Sequence, residues 1–162
     1  MTTATEIRIT VLGEAQPAGS KRAFAMRYGD GRPVMRPNGT QVVNVIDDNS
    51  KSKDWKRHVT LAARRAYCGE PLEGPIEVEM IFYRVRPKNH FGSGKNASRL
   101  KDTAPAFPTG KPDVLKLARG VEDALTGWCY VDDSQIVDEY LAKRYGDSPR
   151  CEIVIRSLAV QT

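Results

Sequence analysis

The sequence predicts one α/β (α+β) domain, a single mixed β-sheet packed against two helices. Three observations predict it. Apolar and polar residues alternate at Ile7-Ile9-Val11, at Ile76-Val78-Met80-Phe82 and at Cys151-Ile153-Ile155, which is the period of half-buried strands. Two intervening stretches switch to helical spacing. A length of 162 residues suits one core, so the domain spans 1–162.

The first strand ends at Gly13, and a Gly- and Pro-containing loop follows with Gln16 to Arg22 at its head. Arg32 to Ile46 reads as a short hairpin turning at Asn38-Gly39. Asn49 or Ser50 caps a helix over Lys51 to Tyr67, with Trp55, Val59, Ala62, Ala63 and Ala66 as its apolar stripe. Lys53, Lys56, Arg57, Arg64 and Arg65 fill much of the remainder, as a solvated face or as contacts to a polyanion. The strand Ile76 to Val85 comes next. A second helix starts after Asp113, its core stripe being Val114, Leu117, Ala118, Val121 and Leu125, and Gly127 breaks it. Ile136 opens a strand to about Arg144, and Gly146 to Pro149 turns the chain into the last strand.

Lys and Arg total 25 against 20 Asp and Glu, a net charge of +5 that favours a polyanionic partner. The three cysteines, Cys68, Cys129 and Cys151, form no CxxC pair. With only His58 and His90 beside them they make no zinc set, and they read as reduced core thiols. No signal-like segment or membrane-length apolar run is present, so a soluble, cytoplasmic protein with no membrane partner is expected.

The segment from 86 to about 112 is irregular and cationic. Arg86, Lys88, Lys95, Arg99 and Lys101 precede its first acid, Asp102, with Gly92, Gly94 and Asn96 interleaved. Such a loop suits the tracking of phosphates, and a flexible solvated loop has the same composition. Lys111 closes the segment, and Lys21 and Arg22 offer a second cationic patch.

Against this basic background the acids concentrate between Lys111 and Val137. Asp113 opens the second helix, Glu122 and Asp123 sit near its end, and Asp132-Asp133 follow the Gly turn. Phosphodiester hydrolysis with a divalent cation needs convergent carboxylates, and Mg²⁺ suits them because it keeps exchangeable waters. Lys111 or Arg119 offers a cation for the scissile phosphate. Asp113 as a helix cap and Asp132-Asp133 as a turn account for the same residues structurally.

Lys111-Pro112-Asp113, Leu117, Asp123-Ala124-Leu125 and Asp132-Asp133-Ser134-Gln135 together resemble the RusA-type Holliday junction resolvases, found in phages and prophages. Gly19 to Arg22, Arg86 to Lys88, Gly94 to Asn96 and Leu100-Lys101 are similar to the same family, so the resemblance spans nearly the whole chain. It implies a homodimeric endodeoxyribonuclease that nicks opposed strands of a four-way DNA junction with Mg²⁺ or Mn²⁺. It further implies Asp113 and Asp133 as metal-binding acids, with Asp132 beside them. Two positions depart from the pattern. The second acid of the family's PDxD falls on Leu115, and a Lys falls on Arg119. On a helical wheel Leu115 also shares the polar flank with Arg119 and Glu122. Three accounts stay open: an inactivated nuclease, recruitment of Glu122 about two turns further on, or DNA binding without cleavage.

Overall fold

The computed structural model describes residues 5–18, 21–47 and 50–158. Four strands form the main sheet in the order β1-β6-β4-β5, where β1 is Glu6–Leu12, β4 Ile76–Arg84, β5 Ile136–Tyr145 and β6 Arg150–Ser157. β6 runs antiparallel to both its neighbours, while β4 and β5 are parallel. The sheet is therefore mixed, as the sequence predicts.

Two helices, α1 (Ser50–Ala66) and α2 (Val114–Leu125), cover one face. Alternation aims Ile7, Ile9 and Val11, Ile76 to Phe82, and Cys151, Ile153 and Ile155 at them. Trp55, Val59 and Ala63 of α1 meet this layer, with Leu117, Ala118, Val121 and Leu125 of α2. Of the predicted α1 stripe, Ala62 is part-buried and Ala66 is exposed. Ser50 begins the helix, and Asn49 lies outside the described residues. Cys129 and Cys151 are buried thiols as expected, whereas Cys68 is exposed beyond the end of α1. Burial pushes the Cys129 thiol up to about 11, which leaves it protonated and unreactive.

The region from 21 to 47 differs from the sequence expectation. Asn38-Gly39 does turn the chain, with Gly39 at φ 79° and its N–H on the Arg36 carbonyl at 2.9 Å. The strand that follows the turn, β3 (Val43–Asp47), pairs instead with β2 (Lys21–Ala25). Pro33 and Pro37 lack the N–H groups a continuous ladder needs, so the segment between them makes only short bridges. The stretch expected as loop at Lys21-Arg22 is thus the start of a strand. β2 and β3 form a second, two-stranded sheet beside the main one.

The basic segment is folded. Phe91 bridges Leu100, Lys101 Nζ donates to the Asn89 carbonyl at 2.9 Å, and Arg86 reaches the Pro105 carbonyl at 2.8 Å while stacking on Tyr145. Among the described residues no helix is long and apolar enough to cross a membrane. Leu125 sits at 0 % exposure where α2 meets the sheet and α1. Its replacement by Ala should cost about 3 kcal/mol, read from urea unfolding, through lost burial and a cavity that neighbours cannot fill.

Candidate nuclease site

Asp113 is the N-cap residue of α2, extended at φ −68° and ψ 144°. Its carboxylate makes no capping hydrogen bond and is 67 % exposed, with Lys116 Nζ at 3.9 Å. The carbonyls ahead of it are clamped. Lys143 Nζ, on β5, donates to the carbonyls of Gly110 at 2.8 Å and Pro112 at 3.1 Å. Arg84, on β4, donates to the Lys111 carbonyl at 2.8 Å. Arg84 also pairs with Glu14 at 3.4 Å, whereas the partners of Lys143 are neutral carbonyls, so the Lys143 charge stays behind the Asp113 end of the helix. Sequence reading missed both, and the only available signal was a Lys at the core-facing phase of β5.

The acidic turn stands at the opposite end of α2. Tyr130 is fully buried there and its hydroxyl donates to the Glu122 carbonyl at 3.2 Å. Asp132 caps a single 3-10 turn, accepting from the Ser134 N–H at 2.9 Å, and hydrogen bonds from the Ser134 hydroxyl and then this N–H hold its carboxyl below the usual range. Gln135 completes a capping box and donates to the carbonyls of Leu72 and Gly74. Asp132 therefore carries the turn, and Asp133 stands beside it, exposed. Asp113 and Glu122 stand nine positions apart, about 13 Å along the axis. Within one chain the predicted set Asp113, Asp132 and Asp133 thus splits between two ends of α2.

What α2 does bring to the acidic turn is Glu122. It is half-buried, and burial with a hydrogen bond to the Glu139 carboxyl pushes its pKa up to about 7. Asp123 and Asp133 add to the rise through their charge. Glu139 lies on β5 in the phase that faces the helix, and sequence reading did not single it out. Asp123 is tied elsewhere, to Lys56 of α1 at 2.7 Å, and so joins the two helices. Among the described residues no three His, Cys, Asp or Glu side chains enclose a metal position. The Glu122–Glu139 pair still fits Mg²⁺, which is held by one or two carboxylates and keeps waters for the rest.

Leu115 is 68 % exposed on the same flank as Arg119 and Glu122. Of the predicted phosphate contacts, Lys88, Lys95, Arg99 and Lys111 are exposed, whereas Arg86 and Lys101 are partly engaged in holding their own segment. The side chains of Lys21 and Arg22 lie outside the described residues. A cleft of about 500 Å³ lined by Arg84, His90, Pro108 and Tyr145 opens between that segment and the end of β5.

An α+β core that carries carboxylates on one helix within a cationic surround defines a nuclease-like protein. The model of the family described as "Endodeoxyribonuclease RusA" matches residues 28–156, and the chain belongs to that family of endodeoxyribonucleases acting on branched DNA. It is also similar to the uncharacterized protein YqaN of Bacillus subtilis (strain 168), 34% identical over 153 residues that cover 94% of this chain and 97% of that protein.

The raised Glu122 pKa makes stability depend on pH. The unfolded carboxyl titrates near 4.5 and the folded one near 7, so between them the folded state binds the extra proton. That contribution is fully present below 4.5 and is lost as pH rises through 7. Without added metal, Glu122→Gln should therefore raise Tm relative to the parent at pH 8 and leave it unchanged at pH 4, measured by calorimetry. Lys143→Met, which frees the carbonyls ahead of Asp113, should lower junction cleavage by up to about 100-fold if Asp113 takes part, as misplacing a positioned group does, with a much smaller change in Tm.

Proposed function

We propose that this chain is a Mg²⁺-dependent Holliday junction resolvase, active as a cytoplasmic homodimer that makes paired symmetric nicks. Glu122 takes the part of the acid missing at Leu115. The observation that supports this most is the carboxyl–carboxyl contact of Glu122 with Glu139, with Asp123 and Asp133 near enough for their charge to raise the Glu122 pKa further. Leu115 and Glu122 stand seven positions apart, close to two helical turns, so the acid stays on one flank while moving along it.

In this reading Glu122 and Glu139 hold the ion, with Asp133 close by on the turn that Asp132 fixes. Mg²⁺ bound there supplies polarisation of the phosphoryl oxygen and a more acidic water, and Mn²⁺ serves equally. Asp113 orients the approaching strand from the other end of α2. Arg119, one turn before Glu122 on the same flank, binds the scissile phosphate and offsets charge as it develops. Lys88, Lys95, Arg99, Lys111 and the Lys21-Arg22 patch carry the phosphates of the junction arms. A twofold pair of chains matches a junction of twofold symmetry and gives one nick on each of two opposed strands.

A second reading, a junction-binding module without cleavage, draws on Leu115 and on the distance between Asp113 and Asp133. A labelled four-way junction incubated with and without Mg²⁺ separates the two, using the parent, Glu122→Gln and Leu115→Asp. The parent should cut, and Glu122→Gln should lose at least ~100-fold, the upper range for disturbing groups that merely support a metal ligand. Cutting by Leu115→Asp alone would refute the role given to Glu122. Binding by all three with no cutting would establish the binding module.

A further inference from the structure

Resting on the nuclease reading above, we infer that the ribbon from Lys21 to Asp47 is a DNA-contacting arm that lies along a groove of the duplex beside the junction. The ribbon stands off the body. Between residues 23 and 45 no side chain is buried, and only Val34, Gln41 and Val42 are part-buried. β2 and β3 pack on each other far more than on any other element. A two-stranded ribbon alone is marginal in water, so an exposed one needs an occupant.

Charge identifies that occupant. Residues 21–47 carry five cations, Lys21, Arg22, Arg27, Arg32 and Arg36, against Asp30 and Asp47. Two such ribbons brought together in a dimer repel each other, whereas a phosphate backbone attracts them. The shape agrees, since the major groove of DNA admits a two-stranded β-ribbon. The far end is made of two turns containing Gly29, Gly31 and Gly39, where an added Cβ would meet nothing within 4 Å. Backbone and phosphate can approach closely there. Arg32 is paired with Asp30, and Arg27 donates to the Gly31 carbonyl at 2.9 Å. Among the described residues Arg36 makes no side-chain hydrogen bond or ion pair and is exposed, so its charge is available. Tyr28 and Met35, more than half exposed beside these arginines, supply flat and apolar contact for sugars and bases.

The root of the arm lies at the candidate site. The Ala18 N–H donates to the Lys116 carbonyl at 2.8 Å, and the incoming loop crosses α2 over Gly120, where a Cβ would come 3.4 Å from the Gln16 carbonyl. β3 leads into α1, which is joined to α2 by Lys56 and Asp123. An arm anchored on α2 fixes the duplex relative to the carboxylates of that same helix.

The test is junction affinity against salt for the parent, Arg36→Gln, Arg27→Gln with Arg36→Gln, and a control carrying Lys95→Gln with Arg99→Gln. Molecular mass is followed by light scattering. The arm variants should bind several-fold more weakly, with the slope of log affinity on log salt reduced by about 1 per arginine and the mass unchanged. Unchanged affinity and slope in the arm double variant, with weakened binding in the control, would overturn this inference alone. Unchanged binding in both would overturn the nuclease reading with it. Loss of affinity together with a halved mass would make the ribbon a clasp between two copies of the chain, and the DNA contact would be refuted.

Discussion

Parallel pairing of β4 with β5 is the constraint on which the rest of the molecule depends. Parallel neighbours cannot be joined by a tight hairpin, so the chain must leave the sheet, cross its face and return. Everything chemical in the protein rides on that excursion: the cationic segment, Asp113, α2, Glu122 and the acidic turn. β5 then completes both ends of the crossover. Glu139 and Lys143 lie four residues apart in one phase of the strand, so both face α2. One meets the carboxyl of Glu122, and the other clamps the carbonyls before Asp113.

The two ends of α2 are fixed by different means. At the acidic end a buried aromatic does it. Tyr130 enters the core, bonds back to the Glu122 carbonyl, and sets where the next turn begins. Gln135 pins that turn to the chain entering β4. At the other end, lysine and arginine donate charge-assisted hydrogen bonds to carbonyls from less buried positions. An apolar anchor thus holds the carboxylate cluster, and a polar one holds Asp113. Adjustment on binding is easier at the second.

How far the sequence was legible follows from the range of each signal. Strands β1, β4, β5 and β6 and the stripe of α2 announce themselves through local alternation or periodicity, and each falls where the pattern puts it. The exposed Leu115 was legible for the same reason, as an apolar residue out of phase. The β2–β3 pairing was not, because it joins residues some twenty apart across two turns, and the Asn-Gly signal between them marks only the second. Glu139 was invisible among the polar residues of β5. Its meaning comes from the parallel register and from α2 above it, and neither is a local property. Asp123 carried a family pattern without an evident role until Lys56 was seen opposite it.

The energetic cost at Glu122 is an argument in itself. A half-buried carboxyl that must lose its proton beside Glu139, Asp123 and Asp133 weakens the folded state at neutral pH. A leucine at that position would extend the apolar stripe of α2 and remove the repulsion, and leucine is the residue found at 115, where the resemblance implies an acid. The chain therefore carries its helix carboxylate where it costs stability and an apolar side chain where exposure gains nothing. That inversion is hard to explain by packing. A divalent cation would turn the repulsion among these carboxylates into attraction, so the same residues that destabilise the free protein would stabilise the bound one.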